Sequence, residues 1–208
     1  MKKKTLVPVI VSGIFAMLTG CATIGGTAIP VDTLSSSPGT TVTLRGEQLR
    51  LIGTPLKVGS PLPSTELIDA FSMKKVDLSQ MKGKVLLLSL VPSIDTKVCE
   101  AQTHYLGEQG ARLPQGIVRI TVSRDTPFAQ KRFAEEAKLT AITYLSDYKE
   151  GAFGRATGLL VADSMLLARS VIVVDREGIV RYIQVVPELS HLPDMETAFA
   201  KAEALLGS

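Results

Sequence analysis

Residues 85–91, VLLLSLV, are apolar at every position but Ser89. The run is too short for a free-standing helix and too apolar for a strand with one wet face. It predicts a central strand buried on both sides. Pro92 ends its ladder for want of an N–H. Asp95 or Thr96 then follows as a helix N-cap, since either side chain can accept a bond from the open N–H groups of a first turn. That helix continues through 101–112 and holds Cys99 in its first turn.

The same reading gives a β-hairpin over 42–51, a short strand at 67–71, a helical turn at 78–81 and strands at 117–122 and 142–145. Pro127 opens a helix reaching 138. Strands at 170–174 and 179–186 are joined by DREG, a link short enough only for an antiparallel hairpin, and a helix over 195–206 closes the chain. Alternating strands and helices followed by a hairpin describe an α/β fold: a mixed sheet with helices on both faces and an N-terminal β-hairpin.

Upstream the pattern changes. Lys2, Lys3 and Lys4, an apolar stretch over 6–18 and then small residues have the layout of a secretory signal over 1–20, too short to span a bilayer. Its end, Leu18-Thr19-Gly20-Cys21, resembles the bacterial lipoprotein signal, which implies lipidation of Cys21. Ala22 in place of Asp resembles signals sorted to the outer membrane, so the expected location is the bacterial cell envelope, on the periplasmic face of the outer membrane. Several acyl chains hold a protein to a membrane where one does not. Residues 21–41 are rich in Gly, Ser, Thr and Pro and read as a flexible linker, with a reach of roughly 25 Å. Residues 42–208 form the folded domain.

Of 208 residues, 45% are hydrophobic, enough for one packed domain. The net charge of +3 is carried by Lys2, Lys3 and Lys4; the other 20 basic residues balance 20 acids. A neutral domain has no electrostatic footprint for nucleic acid. With two cysteines and two histidines there is no zinc-ligand cluster, so neither a metal nor another cofactor is expected. If Cys21 carries lipid, Cys99 is an unpaired thiol in an oxidising compartment, where it must be hidden or used.

The partial positive charge of a helix N-terminus favours thiolate at Cys99, and the thiolate is the nucleophile. Thr96-x-x-Cys99 lies where a disulfide oxidoreductase carries Cys-x-x-Cys, so dithiol exchange at this site is excluded. The Thr96 hydroxyl can bond both a thiolate and an incoming peroxide oxygen, or simply cap the helix. Pro92 shields the site from water. Arg169 shares the face of Leu167, Val171 and Val173 in an alternating strand, where a guanidinium needs an anion unless it sits at an exposed strand end. His104 lies about 140° around the helix from Cys99, and His191 is in a loop. Both weaken the case for a cysteine hydrolase.

Pro92-x-x-x-Thr96-x-x-Cys99, within PSIDT-x-VC, resembles the active-site motif of the peroxiredoxins, in the form carried by their thiol peroxidase branch. The resemblance extends through Asp125 and the following PFAQKRF, Leu166-Leu167-Ala168-Arg169 and Val186-Pro187-Glu188. It implies a thioredoxin-like fold, with Cys99 as peroxidatic cysteine and Pro92, Thr96 and Arg169 completing its pocket. It also implies hydrogen peroxide and alkyl hydroperoxides as substrates, an external thiol reductant, thioredoxin-like or small, and a homodimer. One position departs: the family's resolving cysteine directly follows PFAQKRF, and here that residue is Ala134. A sulfenic acid at Cys99 must then meet an external thiol or a partner subunit, and one-cysteine turnover is expected. The rival expectation is a non-catalytic redoxin-fold module acting through interactions in the envelope.

Overall fold

The computed structural model describes residues 28–207. Its elements are β1 (Val31–Asp32), β2 (Thr41–Leu44), β3 (Glu47–Ile52), β4 (Leu67–Asp69), β5 (Lys75–Val76), β6 (Val85–Leu90), α1 (Lys97–Glu108), β7 (Ile117–Ser123), α2 (Pro127–Glu136) and β8 (Thr143–Ser146). There follow α3 (Ala152–Thr157), β9 (Leu160–Val161), β10 (Ser170–Val174), β11 (Val180–Val185), β12 (Leu192–Pro193) and α4 (Met195–Ala204). Seven strands form one mixed sheet in the order β11-β10-β6-β7-β8-β4-β5. Within it β6, β7 and β8 run parallel, while β10 is antiparallel to β6.

Every residue of β6 is buried, as its composition requires. Leu86, Leu88 and Leu90 point into one apolar cluster; Val85 and Leu87 point into the other. The second cluster holds the inward residues of α1, α2 and α4, among them Leu106, Ala134 and Phe199. The first is closed by α3 and by a small antiparallel sheet, β2-β3-β9, through Val42, Leu51, Phe153 and Leu160. Helices therefore lie on both faces, with the β2–β3 hairpin sharing one of them.

The signal segment and Cys21 lie outside the described residues. The later part of the expected linker is not free. β1 pairs in parallel with β12, Ser36 N–H donates to the Val185 carbonyl at 2.8 Å, and the Gln184 amide donates to the carbonyls of Asp32 and Leu34. Composition signals that residues 31–41 have no core of their own. It says nothing of their backbone groups, which pair along the outer edge of β11, where residues 59–60 also bond Val180.

The hairpin is pinned through Glu188. Its carboxylate accepts from the Thr43 hydroxyl at 2.9 Å, the Arg45 N–H at 2.9 Å and the Ser190 hydroxyl at 2.7 Å. Burial pushes the carboxyl up, but the Arg45 N–H, the Ser190 hydroxyl and N–H, and the Thr43 hydroxyl outweigh it and bring the pKa from 4.5 to about 2. A depressed carboxyl stabilises the fold fully above the unfolded value, and that contribution is lost as pH falls through 4.5 towards 2. Glu188→Gln is expected to be less stable than the native chain at pH 7 by of order 1 kcal/mol. In urea midpoints measured from pH 7 to 2, the two proteins should converge over that acid window.

Candidate active site

Val91 N–H still pairs with the Val122 carbonyl at 3.0 Å, and the ladder of β6 stops at Pro92. The chain then turns through residues 93–96 and starts α1 at Lys97. Thr96 is the N-cap residue in extended geometry, but no side chain caps the helix. Asp95 is exposed and bonds Arg132 at 2.9 Å instead. The turn is held from outside: Asp125 accepts from the Ser93 hydroxyl at 2.9 Å and the Ile94 N–H at 2.7 Å. One turn into α1, the Thr103 hydroxyl donates to the Cys99 carbonyl at 2.8 Å.

Cys99 lies in the first turn of α1 with its surface fully buried, and Arg169 beside it is only 2% exposed. β10 is hydrogen-bonded to β6, so the residue just before it comes to the start of α1 although it is 70 positions from Cys99. The guanidinium donates from Nη2 to Cys99 Sγ at 3.3 Å, from Nη1 to Gln102 Oε1 at 2.7 Å and from Nε to the Leu189 carbonyl at 2.9 Å. None of these acceptors is a carboxylate. Of the three, only the sulfur can carry the negative charge that a buried guanidinium requires.

A cavity of about 500 Å³ opens over this point, and Arg169, Thr96 and Pro92 line it. Its walls are largely apolar: Leu44 and Leu49 of the hairpin, Val161, Leu166, Leu167 and Leu189. Cys99 is not among the residues lining the cavity; its sulfur is fully buried beside Arg169, which does line it. The Thr96 hydroxyl lines the cavity but donates to the Ser93 carbonyl at 3.3 Å and has no bond to Sγ. The four sequence-predicted residues are thus brought together, with the guanidinium nearest the sulfur and the hydroxyl on the cavity side. The histidines are elsewhere: His104 bonds Glu108 at 2.7 Å, and His191 Nδ1 is 3.2 Å from Asp32.

The comparisons with known proteins agree with this arrangement. The Redoxin family model matches residues 57–199. A curated relative named thiol peroxidase from Halalkalibacterium halodurans is 41% identical over 79% of this chain and 98% of its own length. The chain belongs to the thiol peroxidase family. Within that family, the thiol peroxidase of Bacillus subtilis is 39% identical over 79% of this chain and 98% of its own. A solved structure, described as a peroxiredoxin-like protein from Aquifex aeolicus, superposes with a TM-score of 0.75 at 34% identity, covering 80% of this chain and 97% of that one.

In this thiol peroxidase family member the residue after PFAQKRF, Ala134, is fully buried on α2 in the same apolar cluster as Cys99. Three further residues shape the site. Gln102 donates its amide to Ser89 at 2.8 Å while its carbonyl takes Arg169, so it braces the guanidinium against β6. A signal for it existed: it is polar, yet stands on the inward stripe of α1 with Cys99 and Leu106. Asp125 and Glu188 fall within the motif blocks, but their tasks of holding the 93–94 turn and the hairpin wall are visible only in the fold.

Proposed function

We propose that the chain is a thiol-dependent peroxidase in which Cys99 is the peroxidatic residue and turnover proceeds on one cysteine. The Cys99 thiolate attacks the distal oxygen of a hydroperoxide; an S–O bond forms, the O–O bond breaks, and the departing oxygen leaves as water or an alcohol once protonated. Cys99 becomes a sulfenic acid. Arg169 stabilises negative charge first on the sulfur and then on the departing oxygen. Thr96, on the cavity side, orients the peroxide, and Pro92 keeps water from the turn. The apolar walls favour alkyl hydroperoxides alongside hydrogen peroxide.

The observation that carries this reading is the buried guanidinium whose bonds go to a sulfur, an amide oxygen and a backbone carbonyl. A redoxin-fold interaction module needs no such device. With Ala134 where the family resolves its sulfenic acid, regeneration falls to an external thiol. The reading also places the protein in the bacterial envelope through lipid on Cys21, for which the signal layout of residues 1–21 is the support. A homodimer is part of it, with Phe71, whose ring lies under Lys131 of α2, and Phe128 of the same helix as exposed apolar side chains.

Mass spectrometry of the full chain tests these statements together. One equivalent of hydroperoxide in the presence of dimedone should yield a single adduct, on Cys99, and the Cys21 peptide should carry acyl chains. Absence of the adduct would remove the peroxidatic assignment, and an unmodified Cys21 the anchor.

A further inference from the structure

Residues 30–36 belong to none of the motif blocks of the site, yet they are docked as a strap beside it. The Gln184 amide of β11 donates to the Asp32 carbonyl at 2.7 Å and to the Leu34 carbonyl at 3.1 Å, while its own carbonyl accepts from the Asp194 N–H at 2.9 Å. The Leu192 N–H donates to the Pro30 carbonyl at 2.8 Å, and the Val185 N–H to the Ser35 hydroxyl at 3.0 Å. Gln184 is buried and gives both amide hydrogens to the strap, which fixes where Asp32 lies.

Asp32 carries the strap to the active site. Its Oδ2 accepts from the Glu188 N–H at 3.5 Å, a long bond, and lies 3.2 Å from His191 Nδ1, close but not aligned as a hydrogen bond. Glu188 and His191 are the first and last residues of a β-turn, closed by the His191 N–H donating to the Glu188 carbonyl at 2.9 Å. One carboxylate therefore touches both ends of the turn. Between them stands Leu189, whose carbonyl accepts from Arg169 Nε at 2.9 Å. The Leu189 N–H donates in turn to the Thr43 carbonyl at 2.8 Å, so the turn is gripped between β2 and the strap. Of the three acceptors of the guanidinium, Cys99 Sγ and Gln102 Oε1 belong to α1, and the Leu189 carbonyl belongs to this turn. In a planar fork the direction of Nε–H sets that of the Nη groups. A shift of the carbonyl would swing Nη2 off the sulfur.

We infer that Asp32 is a positioning residue for the peroxidase reaction: from the N-terminal strap it holds the 188–191 turn, and through the Leu189 carbonyl it aims the Arg169 guanidinium at Cys99 Sγ. The inference rests on Cys99 being the peroxidatic residue and Arg169 serving it. Two plainer roles would read differently. If the strap only adds stability, loosening any of its ties should act alike. If it only supports the cavity wall, to which Leu189 and Ser190 belong, its loss should slow bulky hydroperoxides and leave hydrogen peroxide alone. Aiming the guanidinium gives instead a loss that is equal for both peroxides and that vanishes once the guanidinium is gone.

The test is stopped-flow oxidation of Cys99 in the full chain by hydrogen peroxide and by cumene hydroperoxide, with thermal midpoints and dimedone trapping beside it. Asp32→Ala is expected to slow both peroxides about tenfold, the scale of a slightly misplaced catalytic group. Asp32→Asn keeps an acceptor for the Glu188 N–H and should stay within about threefold of the native rate. Beside Arg169→Gln, Asp32→Ala should change the rate by less than about twofold. Ser35→Ala cuts a bond from the strap to β11 without touching the turn, and should keep the native rate. A native rate in folded Asp32→Ala overturns the inference, as does a further loss of the same size beside Arg169→Gln, a loss confined to cumene hydroperoxide, or an equal loss in Ser35→Ala. In each of these cases trapped sulfenic acid leaves the peroxidatic reading standing. Should Asp32→Ala fail to fold, the same cycle with Asp32→Asn decides: a loss that disappears beside Arg169→Gln supports the inference, and one that persists there, or no loss at all, overturns it. Failure to trap any sulfenic acid in the native chain overturns both readings.

Discussion

Cys99→Ser is expected to lower peroxide consumption by at least about a thousandfold, to the rate of the uncatalysed mixture of peroxide and thiol. A serine hydroxyl is a far weaker acid than a thiol and has no ionised form to attack with at neutral pH unless a base removes its proton. No base is at hand, since the polar partner of the sulfur is the guanidinium of Arg169, which can only donate. The exchange of sulfur for oxygen is small in volume but falls in a fully buried apolar cluster. The thermal midpoint should therefore be measured beside the rate. A folded, inactive variant is the expected result, and a folded variant with native turnover would mean that the chemistry lies elsewhere.

Arg169→Gln is expected to cost about a hundred- to a thousandfold in the rate at which peroxide oxidises Cys99, the range seen when one preorganised donor to developing negative charge is removed. The loss should exceed that of a single hydrogen bond, because the side chain also fixes Gln102 and the Leu189 carbonyl. Arg169→Lys keeps a positive charge but brings a single ammonium where a planar fork serves three acceptors. Its rate should fall between those of the native chain and Arg169→Gln. Stopped-flow oxidation of Cys99 reads the chemical step without the reductant. Alkylation of Cys99 by iodoacetamide should slow in the same order, as expected if the guanidinium acts through charge on the sulfur. Parallel slowing with peroxide but unchanged alkylation would assign Arg169 to the departing oxygen alone.

The two variants divide the site into a part that is local in sequence and a part that is not. Strand, proline, turn and first helical turn follow one another within fifteen residues, and each step has a local cause: continuous apolar burial, a missing N–H, a change of period. Cys99 was therefore legible as a thiol at a helix start. The hairpins were legible for the same reason, as was the α/β class. Thr96 shows the limit of such reading, since the sequence places it at the N-cap but not the direction of its hydroxyl, which turns to Ser93.

What the chain determines by itself is the set of elements and the reactive sulfur at the junction of two of them, because these depend on neighbours a few residues apart. The tertiary structure decided which charge meets that sulfur. Arg169 reaches Cys99 because β10 lies against β6, Gln102 braces it across to Ser89, and residues 31–36 pack beside β11 and β12 instead of trailing free. Sheet order and the pairing of strand edges join residues far apart in the chain, and no local periodicity encodes them.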